Sequence, residues 1–241
     1  MNPSERVNEK AQMAFWWCGV IFVVVYCIGL IVLSGFVPPP SPLLSGQELL
    51  AKYHDNLLMV RTGIAVQVLS CGFYILFMAV ISMQMARMEV GRVFPIYSFT
   101  AFGAGCLNII FFILPCVFWA GEFYRPERNP ELVLLISDIS WLAFVMIAPP
   151  VSAQLACMGF CTLTSTSKTV VFPRWFGYAS LWMAVLALPG LVAIYFYHGP
   201  FAWNGLIALY LPVCTYFVWM MCCFAVLRKA IKNHKFDVAA V

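Results

Sequence analysis

Two ionisable residues stand inside long apolar stretches of this sequence, Arg61 about one helical turn into one stretch and Asp138 about two turns into another. A charge at that depth is costly and is kept where it pairs, faces a cavity or reaches water. Opposite signs at similar depth suit an interhelical ion pair or a shared polar ligand site. Two side chains snorkelling separately to water would leave the same pattern. Gln67 and Asn108 fall near mid-depth and Gln154 deeper still. Such amides bond across helices for about 0.6 kcal/mol each, so they read either as glue or as a polar track continuing from Arg61 and Asp138. His54, Glu122, Trp141, His198 and Asn204 gather near one boundary among Trp119, Phe123, Tyr124, Tyr195, Tyr197 and Trp203. That is the composition of an interfacial aromatic belt, and also of an outward vestibule.

Other chemistries lack their residues. All six lysines lie outside the apolar stretches, so no retinal-type Schiff base is expected, and the three histidines (His54, His198, His234) sit at edges or in the tail. No stretch supplies a His/Asp/Glu cluster for zinc or iron, a phosphate-cradling Gly-x-x-x-x-Gly-Lys loop, or a Ser/His/Asp set. Met78, Met83, Met85 and Met88, with Met220, Met221, Cys222 and Cys223, offer soft sulfur that suits Cu(I) but equally suits ordinary packing. The expectation is no catalytic residue, no metal and no cofactor. The ten cysteines all fall in apolar stretches and read as free thiols rather than a disulfide framework.

The elements that position these residues follow from composition. Of 241 residues, 63% are hydrophobic and 10% charged, far from the roughly 25% charge of soluble domains, so lipid must be the solvent for most of the chain. Six apolar runs, at about 13–37, 57–84, 94–120, 131–162, 175–197 and 202–228, each reach the roughly 20 residues that cross about 30 Å of hydrocarbon as a helix. The first is too long for a signal-peptide core and no cleavage site follows it, so it is expected to be retained. Alternate loops and the two ends carry ten Lys and Arg (Arg6, Lys10, Arg87, Arg92, Lys168, Arg174, Arg228, Lys229, Lys232, Lys235) against three (Lys52, Arg125, Arg128) on the opposite side. The positive-inside rule then places both termini in the cytoplasm. The expected fold is all-α, an integral membrane bundle of about six transmembrane helices forming one domain over 1–241.

Local signals refine this. Ser45 followed by Glu48 predicts a capping box opening a short outer-surface helix after the first span. Asn129-Pro130-Glu131 predicts a helix start, and Pro173 suits another. Pro115, Pro149-Pro150, Pro189 and Pro212 interrupt four successive spans, each removing a backbone donor and freeing a carbonyl. Broken helices near mid-membrane occur at transporter sites as well as in helices that merely bend. Ala101 and Gly105, four apart, permit close helix contact.

The stretch Pro173-Arg174-Trp175-Phe176-Gly177-Tyr178, with the spans that follow and the Arg228-Lys229 end, resembles the C-terminal part of uncharacterised bacterial multi-pass membrane proteins of the DUF4386-like kind. The resemblance covers the last third of the chain and implies a bacterial inner (cell) membrane, with no function or site residue to carry over. The sequence therefore points to a non-enzymatic bundle that binds or passes a small, largely apolar molecule in a pocket in its outer half. The alternatives are an interaction subunit of a larger membrane complex or homo-oligomer, and a membrane enzyme on lipid or quinone-like substrates using His54 or His198. The bilayer is the expected partner in each case, and nucleic acid in none.

Overall fold

A computed structural model describes residues 3–125 and 127–238, with side chains for 8–125 and 127–234. Of the cations behind the orientation, Arg6 and Lys235 lie outside the described side chains. Helix α1 (Pro3–Cys27) continues as a wide π-turn (Ile28–Leu33) to make span 1. A short helix α2 (Gly46–His54) follows, then α3 (Leu57–Ala86) as span 2 and α4 (Ile96–Phe123) as span 3. Span 4 is broken into α5 (Pro130–Met146) and α6 (Pro149–Leu163). Span 5 is α7 (Arg174–Leu186) passing into a 3-10 segment (Leu188–Tyr195), and span 6 is a π-turn (Leu206–Tyr210) running into α8 (Leu211–Val238). Six helices are thus long and apolar enough to cross a membrane, and the chain is a multi-pass membrane protein.

The capping box forms as expected. The Ser45 hydroxyl accepts from the Glu48 amide at 3.3 Å, and the Glu48 carboxylate accepts from the Ser45 amide at 2.8 Å. Those bonds to the charged form hold the Glu48 carboxyl below its ordinary range. Asn129 caps α5 through the Glu131 amide at 2.9 Å, with Pro130 as the first helical residue. Span 1 ends at Leu33, four residues sooner than its hydropathy suggested, because Gly35 adopts a left-handed φ of 62°. The reversal lets the Phe36 amide reach the Leu30 carbonyl at 3.0 Å and turns the Phe36 ring into the bundle.

Packing is circular. Spans 1 and 2, 2 and 3, 3 and 4, 4 and 5, and 5 and 6 are neighbours, and α8 returns to α1. Gln12 meets His234 at 3.5 Å, so both chain ends share one end of the bundle, here the terminal end; α2 lies at the other, distal end. Spans 1 and 2 touch backbone to backbone. A methyl at Gly63 would collide with the Ser34 hydroxyl and sit 2.7 Å from the Gly29 carbonyl oxygen. Gly105 performs the expected role between spans, since a methyl there would lie 2.9 Å from Met78 Sδ and 3.0 Å from Gln154 Nε2.

These contacts separate two glycines on one helix. Gly63→Ala should destabilise the bundle by about 1–3 kcal/mol, the usual cost of overpacking. Gly72→Ala, which faces open space, should be neutral or stabilising by up to about 1 kcal/mol through helix propensity. Denaturation in mixed micelles measures both.

Candidate functional site

Five spans enclose an apolar cavity of about 160 Å³ that runs from mid-depth into the distal half. Phe22 and Tyr26 from α1, Phe111 and Phe112 from α4, Val145 and Ala148 at the break in span 4, Met183 and Ala187 from span 5, and Ala208, Tyr216 and Met220 from span 6 are among its walls. The helix breaks converge on it. Proline frees the carbonyl four residues before it, and for Pro115, Pro149 and Pro212 those residues are Phe111, Val145 and Ala208, all of them lining residues. Pro189 begins the 3-10 segment just beyond Ala187, and the π-turn of span 1 contributes Leu30. Span 2, an unbroken 30-residue helix, supplies no lining residue.

The expected polar residues stand beside this cavity rather than in it. Asn108 and Gln154 do meet, the Asn108 amide donating to Gln154 Oε1 at 2.5 Å and to the Tyr74 hydroxyl at 3.5 Å. Gln154 Nε2 in turn donates to Met78 Sδ at 2.8 Å, and the Tyr216 hydroxyl lies beside that of Tyr74. Gln67 belongs to a second thread. Its amide donates to Ser34 Oγ and the Gly63 carbonyl, both at 3.2 Å, and its Oε1 accepts from the Cys116 thiol at 3.6 Å. Cys116 contacts the Tyr26 hydroxyl at 3.9 Å, and that hydroxyl also donates to the Phe112 carbonyl at 3.4 Å. Each thread ends on one tyrosine of the cavity wall, Tyr216 or Tyr26. The single track imagined from Arg61 to Gln154 is therefore two threads, and neither includes a charge.

Arg61 and Asp138 are not joined by an ion pair among the described residues. The Arg61 guanidinium instead donates to the Phe123 and Tyr124 carbonyls at 2.9 and 3.1 Å. It caps the C-terminal end of α4, where unpaired carbonyls attract a cation. Asp138 is half-buried on α5. Similar depth did not bring the two together because Arg61 found carbonyls closer at hand.

The vestibule residues also divide. His54 is exposed and pairs with exposed Asp55 at 3.3 Å, His198 is exposed in the loop before span 6, and Asn204 is half-buried. Glu122 and Trp141 are instead fully enclosed near the distal end. Phe36, 1% exposed, is the hub there, with ring centroids 4.5 Å from Trp119, 5.7 Å from Tyr53, 6.0 Å from Trp141 and 6.1 Å from Phe123. Glu122 is 2% exposed with Ser137 beside it, and its Oε2, the Tyr53 hydroxyl and the Trp119 indole N–H make no hydrogen bond among the described residues. Burial, with Glu122 nearby, raises the Tyr53 hydroxyl above its ordinary range. A second pocket, of about 230 Å³, adjoins this cluster, with Ser34, Lys52, Tyr53 and Asn56 among its walls.

Sequence reasoning missed the polar residues of the terminal end. Gln84 donates to Gln12 at 2.5 Å, and Arg87 donates to Gln84 and to the Ala230 carbonyl at 3.2 Å, tying spans 1, 2 and 6. Glu89 is buried, accepting from the Ser98 amide at 2.8 Å and the Tyr97 amide at 3.2 Å at the start of α4. An acid just ahead of a helix start was the available signal. No group of three metal-binding His, Cys, Asp or Glu occurs among the described residues; Met78, Met83, Met85, Met88 and Met220 pack in or against the core, while Met221 is exposed. The chain matches no family model, no curated protein and no solved structure.

Two substitution experiments follow. A double-mutant cycle of Asn108→Leu and Gln154→Leu should give a coupling of about 0.6–1.7 kcal/mol, the range for buried interhelical hydrogen bonds in lipid; zero coupling would detach the pair. Glu122→Gln should leave the melting temperature unchanged or raise it, since it removes a poorly partnered carboxyl without changing shape. A loss of several degrees would identify that carboxyl as a structural partner.

Proposed function

We propose that this protein binds a small, largely apolar molecule within the bilayer, in the cavity shared by spans 1, 3, 4, 5 and 6. The observation that carries this reading is the convergence of four helix irregularities and the in-helix Pro115 on one carbon-lined space, while span 2, which has neither, stays outside it. Helix breaks at membrane depth are tolerated where they are buried in protein or line a cavity. A cavity of this size lined by aliphatic and aromatic side chains takes a benzene-sized guest. In this reading Gln67, Asn108 and Gln154 do not touch the ligand. They fix Tyr26 and Tyr216 in the wall, and Arg61 closes the end of α4. With ten cations against three, the ends lie in the cytoplasm and the cavity faces the outer half. The resemblance of the last third to DUF4386-like proteins supports a bacterial cell membrane as the setting and contributes no ligand.

Photolabelling in lipid nanodiscs with a small aryl diazirine tests the reading. Adducts should appear on Phe22, Phe112 and Met220, all less than 10% exposed, and should compete with unlabelled toluene. Ala208→Phe, which fills the cavity, should reduce them at least tenfold, about 1.4 kcal/mol in affinity. Adducts confined to lipid-facing residues such as Leu69 and Trp182 would overturn it.

A further inference from the structure

The ring of spans is closed unevenly. At the terminal end α1 and α8 are bound firmly, with the Trp16 indole donating to the Phe224 carbonyl at 2.9 Å, their rings 5.9 Å apart, and the Arg228 guanidinium 5.6 Å over Trp16. Beyond that point no hydrogen bond or ring contact joins the two helices among the described residues. There Val23 and Cys27 on α1 and Val213 and Phe217 on α8 line the cavity while themselves partly or openly exposed. The cavity therefore opens sideways, at hydrocarbon depth, between spans 1 and 6.

Resting on the reading above, we infer that the cavity's ligand is the end of an acyl chain of a bilayer phospholipid, entering between spans 1 and 6 from the distal leaflet. Three observations select that chemistry. The cavity volume of about 160 Å³ holds one ring or a short length of chain, so a longer molecule must leave its remainder in the gap and the lipid. The depth agrees, because acyl chains of one leaflet end near the midplane, about 15 Å from the interface, which is where the cavity lies deepest. No hydroxyl of the wall is free for a headgroup or ring carbonyl. Tyr26 and Tyr216, the two hydroxyl-bearing residues of the wall, are each engaged by a neighbour, Phe112 and Cys116 for one and Tyr74 for the other. A polar ligand would lose hydrogen bonds on entering, whereas a methyl terminus loses none. A second copy of the chain fits less well, because a helix inserted into the gap could not reach a space of this size.

Nanodiscs containing phosphatidylcholine with a diazirine either at the acyl terminus or near the headgroup distinguish the outcomes. The terminal label should mark Phe22, Phe112 and Met220 and the upper label Val213 and Phe217, and Ala208→Phe should reduce the interior adducts at least tenfold. Interior labelling by the small aryl diazirine but by neither phospholipid would overturn this inference and leave the apolar site standing. Labelling by none of the probes would remove both. Acyl adducts entering elsewhere, for instance along Leu188 and Ile194 of span 5, would overturn the portal. Cross-linked dimers joined through Val213 and Phe217 would put a second copy in the gap and overturn the acyl ligand.

Discussion

Inside hydrocarbon a peptide group has no solvent to bond with, so every irregularity in a membrane helix must be satisfied by the protein itself. Span 2 meets this constraint trivially, as 30 residues of unbroken α-helix. Spans 1, 4, 5 and 6 each leave α-helical geometry, span 3 holds Pro115 within a continuous helix, and side chains bond to backbone carbonyls around the bundle. The Ser34 hydroxyl donates to the Val60 carbonyl, Tyr26 and Cys116 share the Phe112 carbonyl, and Arg61 takes the two carbonyls that end α4. Gly190 is packed against the Val145 carbonyl that Pro149 displaces, where any side chain would collide. A space in the middle of the bundle is the geometric result, since helices bent at one level cannot pack along their whole lengths.

The division of labour among spans follows. The straight helix carries Gln67, Ser70, Tyr74 and Gln84, all buried, and acts as the rail on which its neighbours are aligned. Its polar side chains reach outward to Ser34, Cys116, Asn108 and Gln12, so spans 1 and 3 are registered against it by hydrogen bonds. The bent helices contribute mostly carbon to the interior. Polarity and cavity are thus kept apart, and the two meet at Tyr26 and Tyr216, whose rings face the space while the Tyr216 hydroxyl meets Tyr74 of the rail and the Tyr26 hydroxyl meets Phe112 and Cys116 of span 3.

Much of this was legible in the sequence, and the failures have one cause. Hydropathy reports which segments enter lipid, and the six runs, the capping box at Ser45 and Glu48, the helix start at Asn129 and the close approach at Gly105 all depend on neighbours within a few residues or on composition. Pro149-Pro150 and Pro189 likewise announced a break and a 3-10 segment, whereas Pro115 stays within the continuous α4. Rotation about the helix axis is not written in hydropathy when a span is apolar all round. Depth therefore suggested an Arg61–Asp138 pair, whereas Arg61 found the end of α4. It placed Glu122 and Trp141 in an open vestibule, whereas the left-handed turn at Gly35 delivers Phe36 to cover them. Asn108 was recognisable as glue and Gln154 as the deeper end of a polar track, but their partnership required knowing that spans 3 and 4 present those faces to each other.

The uneven closure of the ring has the same origin. Five of its six interfaces join consecutive spans, which short loops hold together; the sixth joins α8 to α1 across the whole length of the chain and must be made by side chains alone. Those contacts, Gln12 with His234 and Trp16 with Phe224 and Arg228, are concentrated at the terminal end. At the distal end, Trp203 is the residue that ties the last loop back, its indole donating to the Pro40 carbonyl at 3.2 Å. Between these two anchors, span 6 begins with the π-turn and Pro212, where it borders the gap. A bundle fastened at both ends of one seam and unbonded in its middle is open to lipid at that level.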